Sequence, residues 1–311
     1  KQTMSELVLN GLDGSNPLAF LAALGTLRRL ACPPSDPDLP WLSNAPKMSW
    51  VIHAGKWSPM LHLAESVDEA RFTQRLFDDL EQDICKHPLA FMEQIHGADR
   101  AEIRELFLDR AERVQPDSRN DIEWLSALCS DLATEATNQL QTVRRDYFFG
   151  NLKSILRLTQ PNHLHRSLFL IWDYADPLDN QSLHLEPSED RRHAYQWHRP
   201  TSDPTRKRHG GMLGANRLAI EAFPFFQSQP RDEKLTTRGF SGIRAADTCW
   251  TWPIWSYPIG VDVVASLLGM SELQQETPRR ERLRAMGVAE VFRSRRILVQ
   301  KTPNFTPAQP V

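Results

Sequence analysis

Cysteine is scarce: the chain has four (Cys32, Cys85, Cys129 and Cys249), far apart and with no Cys-x-x-Cys pair. That spacing argues against a zinc knuckle or a redox dithiol and reads as small buried thiols in a reducing compartment. Long apolar runs are missing too. No stretch reaches the roughly 18 residues a membrane helix needs. Residues 1–9 lack the apolar region and small-residue cleavage site of a secretory signal, so a cytoplasmic protein is expected, with Met4 read as its first natural residue. Signatures of chemistry are equally thin. There is no Gly-x-Ser-x-Gly elbow, since Ser241 beside Gly239, Phe240 and Gly242 misses that pattern. Neither a His-Asp metal-nuclease dipeptide, a helicase box nor an internal repeat is present. The expectation is therefore no catalytic residue, no metal and no cofactor, and a function in binding within a complex.

What is present is an ordinary globular composition, 41% hydrophobic, 24% charged and 9% aromatic over 311 residues, enough for one large unit or two smaller ones. The net charge of -2 hides an asymmetry. Residues 1–140 hold 13 Lys and Arg against 22 Asp and Glu, whereas residues 141–311 hold 24 against 17. Charge divided in this way suggests an acidic helical face and a basic working face.

The order of elements predicts an α+β fold: small mixed or antiparallel sheets with an inserted helical layer. Residues 1–65 read as a strand, a helix and Trp-rich strands, 66–150 as the helical layer, and 151–311 as a basic α+β part that could form one domain with 1–65. Asn16 is a good N-cap and Pro17 suits the first helical position. The helix that follows carries Leu18, Leu21, Leu24, Leu27 and Leu30 with Ala22, Ala23 and Gly25 between them. It predicts a buried element, whose Arg28 and Arg29 complement the helix dipole. Short strands are expected at 50–52 and 60–63. Ser66 to Glu69 match a capping box ahead of Phe72, Leu76, Leu80 and Ile84 at four-residue spacing. Further helices are expected through Ile103 to Val114, and from about residue 121 to Val143, with the texture changing at Gly150. Residues 168–174 read as a buried strand, 176–210 as a long loop and 303–311 as a frayed tail.

That loop carries the most informative pattern. Arg191, Arg192, His193, His198, Arg199, Arg206, Lys207, Arg208 and His209 crowd together with Tyr195 and Trp197 between them. Arginine and lysine neutralise phosphates, while aromatic rings stack on unpaired bases, so the combination suits nucleic acid. A solvated loop paired with the acidic helices is the plainer alternative. The adjoining Gly210-Gly211-Met212-Leu213-Gly214-Ala215-Asn216-Arg217 looks like a glycine-rich anion cradle before a helix, with Arg217 added to the nucleic-acid set. It lacks the Gly-Lys-Ser/Thr ending of a nucleotide loop, which leaves backbone contact or a tight turn. His163 and His165 would share one face of a strand and could begin a metal site with Asp173 or Asp176. Trp250, Trp252 and Trp255 could form a stacking platform, although packing in the core or at an interface is the simpler reading.

Residues 16–25 (Asn-Pro-Leu-Ala-Phe-Leu-Ala-Ala-Leu-Gly) resemble the opening of protein families encoded in type I-G (formerly I-U) CRISPR loci. The blocks at 214–219, 235–240 and 252–255 are similar to them as well. These families include a candidate large subunit of the interference complex and an extension family of the helicase–nuclease. The resemblance covers roughly a third of the chain, and its motifs are apolar and glycine-rich rather than catalytic. It implies a separate subunit that contacts target DNA or guide RNA and other effector subunits, including the helicase–nuclease, with the protein reading a short flanking motif and duplex shape. The residues themselves leave two alternatives open. One is a metal-dependent nuclease or phosphoesterase using His163 and His165; the other is a protein–protein adaptor whose Trp-rich strands form its interface.

Overall fold

The computed structural model describes residues 5–32, 46–81, 87–112, 118–132, 138–142, 145–178, 180–186, 210–231, 234–242, 248–299 and 302–311. The chain is α+β, and the sheets among the described residues are small and antiparallel. In chain order the first elements are β1 (Ser5–Val8), α1 (Pro17–Ala31), β2 (Lys47–His53) and β3 (Lys56–Leu63), with strands ordered β1-β3-β2. A helical stretch follows: α2 (Glu69–Leu80), α3 (His87–Ile95), α4 (Arg100–Glu112), α5 (Ser118–Leu128), α6 (Arg145–Leu158) and α7 (Pro161–Phe169). After α8 (Leu213–Glu221) come the hairpin β4 (Ser228–Arg231) and β5 (Lys234–Thr237), then β6 (Phe240–Ser241) and β7 (Cys249–Trp255). The chain closes with α9 (Val261–Leu268), α10 (Arg280–Ala285), β8 (Val288–Val299), β9 (Thr302–Phe305) and β10 (Gln309–Pro310). The second main sheet runs β10-β8-β7-β6, and β9 also pairs with β8.

Helix α1 starts where the sequence says it should. The Asn16 side chain accepts from Leu18 N at 2.9 Å and Ala19 N at 3.2 Å, satisfying two of the free amides of the first turn. Every residue from Pro17 to Leu30 is buried, as a helix apolar on all sides requires. One side meets an aromatic wall: Phe20 lies 5.8 Å from Trp50, 6.5 Å from Trp250 and 5.7 Å from Trp252 between ring centroids. Those tryptophans and Trp255 are core, not a platform or an interface, since all four are at most 2% exposed. Two of them use the indole N–H to tie β7 to other parts of the fold, while those of Trp50 and Trp250 are buried without a partner among the described residues. Trp252 Nε1 donates to Gly14 O at 2.9 Å and Trp255 Nε1 to Met48 O at 2.7 Å, and Met48 and Ile259 exchange backbone hydrogen bonds. The opposite side of α1 packs on α8 so closely that a Cβ on Gly25 would sit 1.8 Å from the Leu218 carbonyl oxygen. Glycine is what allows the two backbones to touch. One continuous apolar cluster includes residues of α1, both sheets and the helical stretch.

Several expectations are corrected. Residues 168–174 are not a buried strand: α7 ends at Phe169, and Ile171 beyond it is 91% exposed. A short apolar run carries no period of its own, and here Leu164 and Leu168 mark a buried helix face. The change of texture expected at Gly150 falls inside α6, where Gly150 is exposed with nothing within 4 Å of a would-be Cβ. The helix expected from 121 to 143 stops at Leu128. Beyond it, Asn138 Nδ2 bridges Ala127 O and Phe226 O. Helix α2 is capped by Asp68, which accepts from Arg71 N, and Ser66 lies before the cap. The tail is not frayed, because residues 302–305 and 309–310 both pair with β8. Of the cysteines, Cys129 is a buried thiol as expected, while Cys32 and Cys249 are half-buried.

Candidate nucleic-acid interface

Arg191, Arg192, His193, Tyr195, Trp197, His198, Arg199, Arg206, Lys207, Arg208 and His209 all lie outside the described residues. The two ends from which they depart are well defined. At one end Glu186, itself 4% exposed, accepts from the Tyr174 hydroxyl at 2.6 Å and from Asn16 Nδ2 at 3.4 Å. At the other, Gly210 lies flat against the Tyr174 carbonyl, where a Cβ would come within 1.8 Å of the oxygen. Tyr174 adopts a φ of 51°, a conformation that costs a non-glycine residue energy and is held by its surroundings. Glu186 and Gly210, the described residues on either side of 187–209, thus both contact Tyr174.

The glycine-rich approach to α8 is already filled. Asp176 and Gly211 exchange backbone hydrogen bonds at 2.6 and 3.2 Å, and the Asp176 carboxylate accepts from Leu213 N at 2.7 Å. The partial positive end of the helix is therefore neutralised by the protein's own carboxylate. Asp176 also accepts from Arg166 Nη1 at 2.7 Å, and Arg166 grips Asp173 through Nε and Nη2. The guanidinium holds the Asp173 carboxyl below the usual carboxylate range, and the two carboxylates raise Arg166 in turn. Residues 173–176 and 210–213 are held together by these contacts, and among the described residues the approach to α8 offers no open anion cradle.

His163 and His165 do not share a strand face. They are two residues apart on α7, hence about 200° apart around the helix. His163 Nε2 stands 3.8 Å from Asp176 and His165 Nε2 3.5 Å from Glu69. His163 Nδ1 accepts from Gln160 N and so caps its own helix. Among the described residues, no three His, Cys, Asp or Glu side chains group so as to hold a metal ion. Arg217 also departs from its expected role. It is 1% exposed, donates to Glu221 Oε1 at 2.7 Å and to Leu80 O at 3.2 Å, and so cannot face a nucleic acid.

Arg217 belongs to an internal ion cluster that the sequence did not announce. Arg28 stands 3.9 Å from both Glu123 and Glu221, bonds to Asn120 and lies over the Trp124 ring. Arg29 forks onto both oxygens of Asp79. Three arginines thus face three carboxylates inside the fold, where each charge needs a partner. Burial pushes the Asp79 carboxyl up to about 6 against the pull of Arg29. Arg28 and Arg29 are core ions, and their complementing of the helix dipole is secondary.

Sequence reading also passed over Arg238, although its segment carries the family resemblance. It lines a cleft of about 650 Å³ together with Gln274, Ser271 and the turn after β5. The available signal was an arginine in a Thr-Thr-Arg-Gly-Phe-Ser-Gly run that itself holds no acid. No family model, curated protein or solved structure matches the chain. No helix among the described residues is long and apolar enough to cross a membrane.

Proposed function

We propose that the chain is a non-enzymatic, cytoplasmic nucleic-acid-binding subunit of a type I CRISPR antiviral effector. It contacts target DNA or the guide ribonucleoprotein through residues 191–209 and works beside other effector subunits, including the helicase–nuclease. The observation that carries the reading is the basic, aromatic sequence of 191–209, supported by the contact of both described neighbours, Glu186 and Gly210, with Tyr174; loops held at their ends by a scaffold often carry binding residues. Two observations favour this reading over a metal site at His163 and His165 or an interface on β7: the two histidines diverge, and the tryptophans of β7 are packed inside.

The test is a salt titration of DNA affinity for the parent and for Arg206→Ala/Lys207→Ala/Arg208→Ala. Each phosphate contact contributes about 0.9 to the slope of log affinity against log salt on duplex, so the triple variant should lose up to about 3 from it. Sequence preference should not change. Absence of binding at low salt, or a slope that the triple variant leaves untouched, would overturn the reading.

A further inference from the structure

We propose that the cleft between the turn after β5 and the segment following α9 binds a phosphate group through Arg238 and Gln274. The cleft measures about 650 Å³, the size of a site for a nucleotide-sized molecule. Among the described residues no aspartate or glutamate lines it, whereas Arg238, Ser241, Ser271, Thr236, Gln274 and Gln275 do. The described lining therefore offers one positive charge and several hydrogen-bond donors.

Arg238 is the unusual member. Its Nη1 donates to Phe225 O at 3.3 Å and its Nη2 to Gln227 Oε1 at 3.0 Å, both neutral acceptors. Among the described residues no carboxylate comes within ion-pair distance of it, unlike Arg28, Arg29 and Arg217. Its Nε lies beside Gly269, 3.9 Å from where a Cβ would stand, and both residues line the cleft. Burial lowers the Arg238 pKa, with Glu123 pulling the other way. A cation stripped of water and left without a counter-ion is costly, and a bound anion offsets that cost.

Gln274 points the same way from the facing wall. Both atoms of its amide, Nε2 and Oε1, are shielded from solvent and lack any hydrogen-bond partner. Native folds rarely leave both ends of an amide unsatisfied. With the Gln274 side chain turned into the cleft, a phosphate ester would serve both, its oxygen accepting from Nε2 and an adjoining hydroxyl donating to Oε1. The planar fork of a guanidinium suits phosphate oxygens better than a point charge would. Such a group occurs on a free nucleotide and on a polynucleotide backbone, so the inference goes beyond the nucleic-acid reading and does not depend on residues 191–209.

The experiment measures binding of fluorescein-labelled oligo-dT and of AMP to the full chain, with adenosine as the competitor lacking phosphate. The expected result is saturable binding of at least one probe, displaced by inorganic phosphate but not by adenosine. Arg238→Ala should weaken it about tenfold or more, the usual effect of losing a charge-assisted contact. Ser271→Glu, a change at an exposed rim position, should do the same with the melting curve intact, which separates loss of the site from loss of the fold. No binding of either probe, competition by adenosine as strong as by AMP, or parent-like affinity in both variants would overturn the proposal. Oligo-dT affinity that survives both variants and falls in the Arg206/Lys207/Arg208 variant removes this site and keeps the proposed function. AMP binding that falls in both variants without any oligo-dT binding keeps the site and removes the nucleic-acid reading.

Discussion

Replacing Gly25 by alanine sets two opposed effects of known size against each other. In an exposed helix interior the change would stabilise by about 1 kcal/mol, because alanine restricts the unfolded chain and favours the helix. Here the new Cβ would stand 1.8 Å from Leu218 O, 2.8 Å from Leu218 C and 3.2 Å from Ala222 N, all backbone atoms of or beside α8. Ordinary contact begins at 3.4 Å, so the two helices must part by about 1.6 Å to admit it. No side chain can rotate away to make the space. The shift would also draw Glu221 from Arg28. Overpacking of this kind costs about 1–3 kcal/mol, and a backbone-to-backbone clash belongs at the upper end. Gly25→Ala is thus expected to lose about 2 kcal/mol net, read as a lower urea midpoint at unchanged slope. Gly150→Ala is the internal control. It lies in α6 with nothing within 4 Å of the added atom, and should gain up to about 1 kcal/mol. If Gly25→Ala melts with or above the parent, the close approach of α1 and α8 is wrong.

Two further outcomes follow from the internal charges. Asp79→Ala strands Arg29 in the core and should cost about 3–5 kcal/mol, while Arg29→Met with Asp79→Leu should recover most of it, since a hydrophobic pair of similar bulk needs no counter-ion; chemical denaturation of the two variants side by side decides. Glu272 accepts from Arg279 N at 2.9 Å and from Nη2 at 2.7 Å, with Arg282 at 3.7 Å, and these contacts lower its carboxyl from an ordinary 4.5 to about 2. A carboxylate lowered on folding stabilises above its unfolded value and loses that contribution as pH falls from about 4.5 to 2, so Glu272→Gln should flatten the stability–pH curve in that window. A variant curve parallel to the parent there would refute the assignment.

The parts of the fold that were legible in the sequence are those set by neighbours along the chain. Asn16 and Pro17 mark the start of α1 because capping acts across three residues. Phe72, Leu76 and Leu80 mark the buried face of α2 because a helix repeats every 3.6 residues. The short apolar run at 168–171 could not be read, since it straddles the end of α7 and its two faces differ only by what packs on them. Gly150 misled for a related reason: an exposed glycine lowers helix propensity by about 1 kcal/mol, which the packing of Phe148, Leu152 and Ile155 outweighs. The charges were the least legible. Arg29 meets Asp79 across 50 positions and Arg28 meets Asn120 across 92, and nothing local distinguishes such arginines from surface ones.

That last point bears on where function can reside. The segments that carry the family resemblance do internal work at almost every position. Asn16 caps α1, Gly25 admits α8, Gly214 touches the carbonyl of His163, and Asn216 accepts from Leu183 N while donating to Met212 O. Arg217 closes an ion pair, and Trp252 ties β7 to the turn before α1. A surface charge contributes little to stability, but a buried one dictates which helices may lie side by side. Arg28, Arg29 and Arg217 therefore specify the contact of α1, α2, α5 and α8, and they leave the pool of cations able to meet a ligand. Subtracting them leaves, among the described residues, the arginines that are not paired with acids. Arg238 is one of these and lines a cleft of about 650 Å³, which is why the phosphate-bearing ligand proposed for it is a place to look for what this fold does.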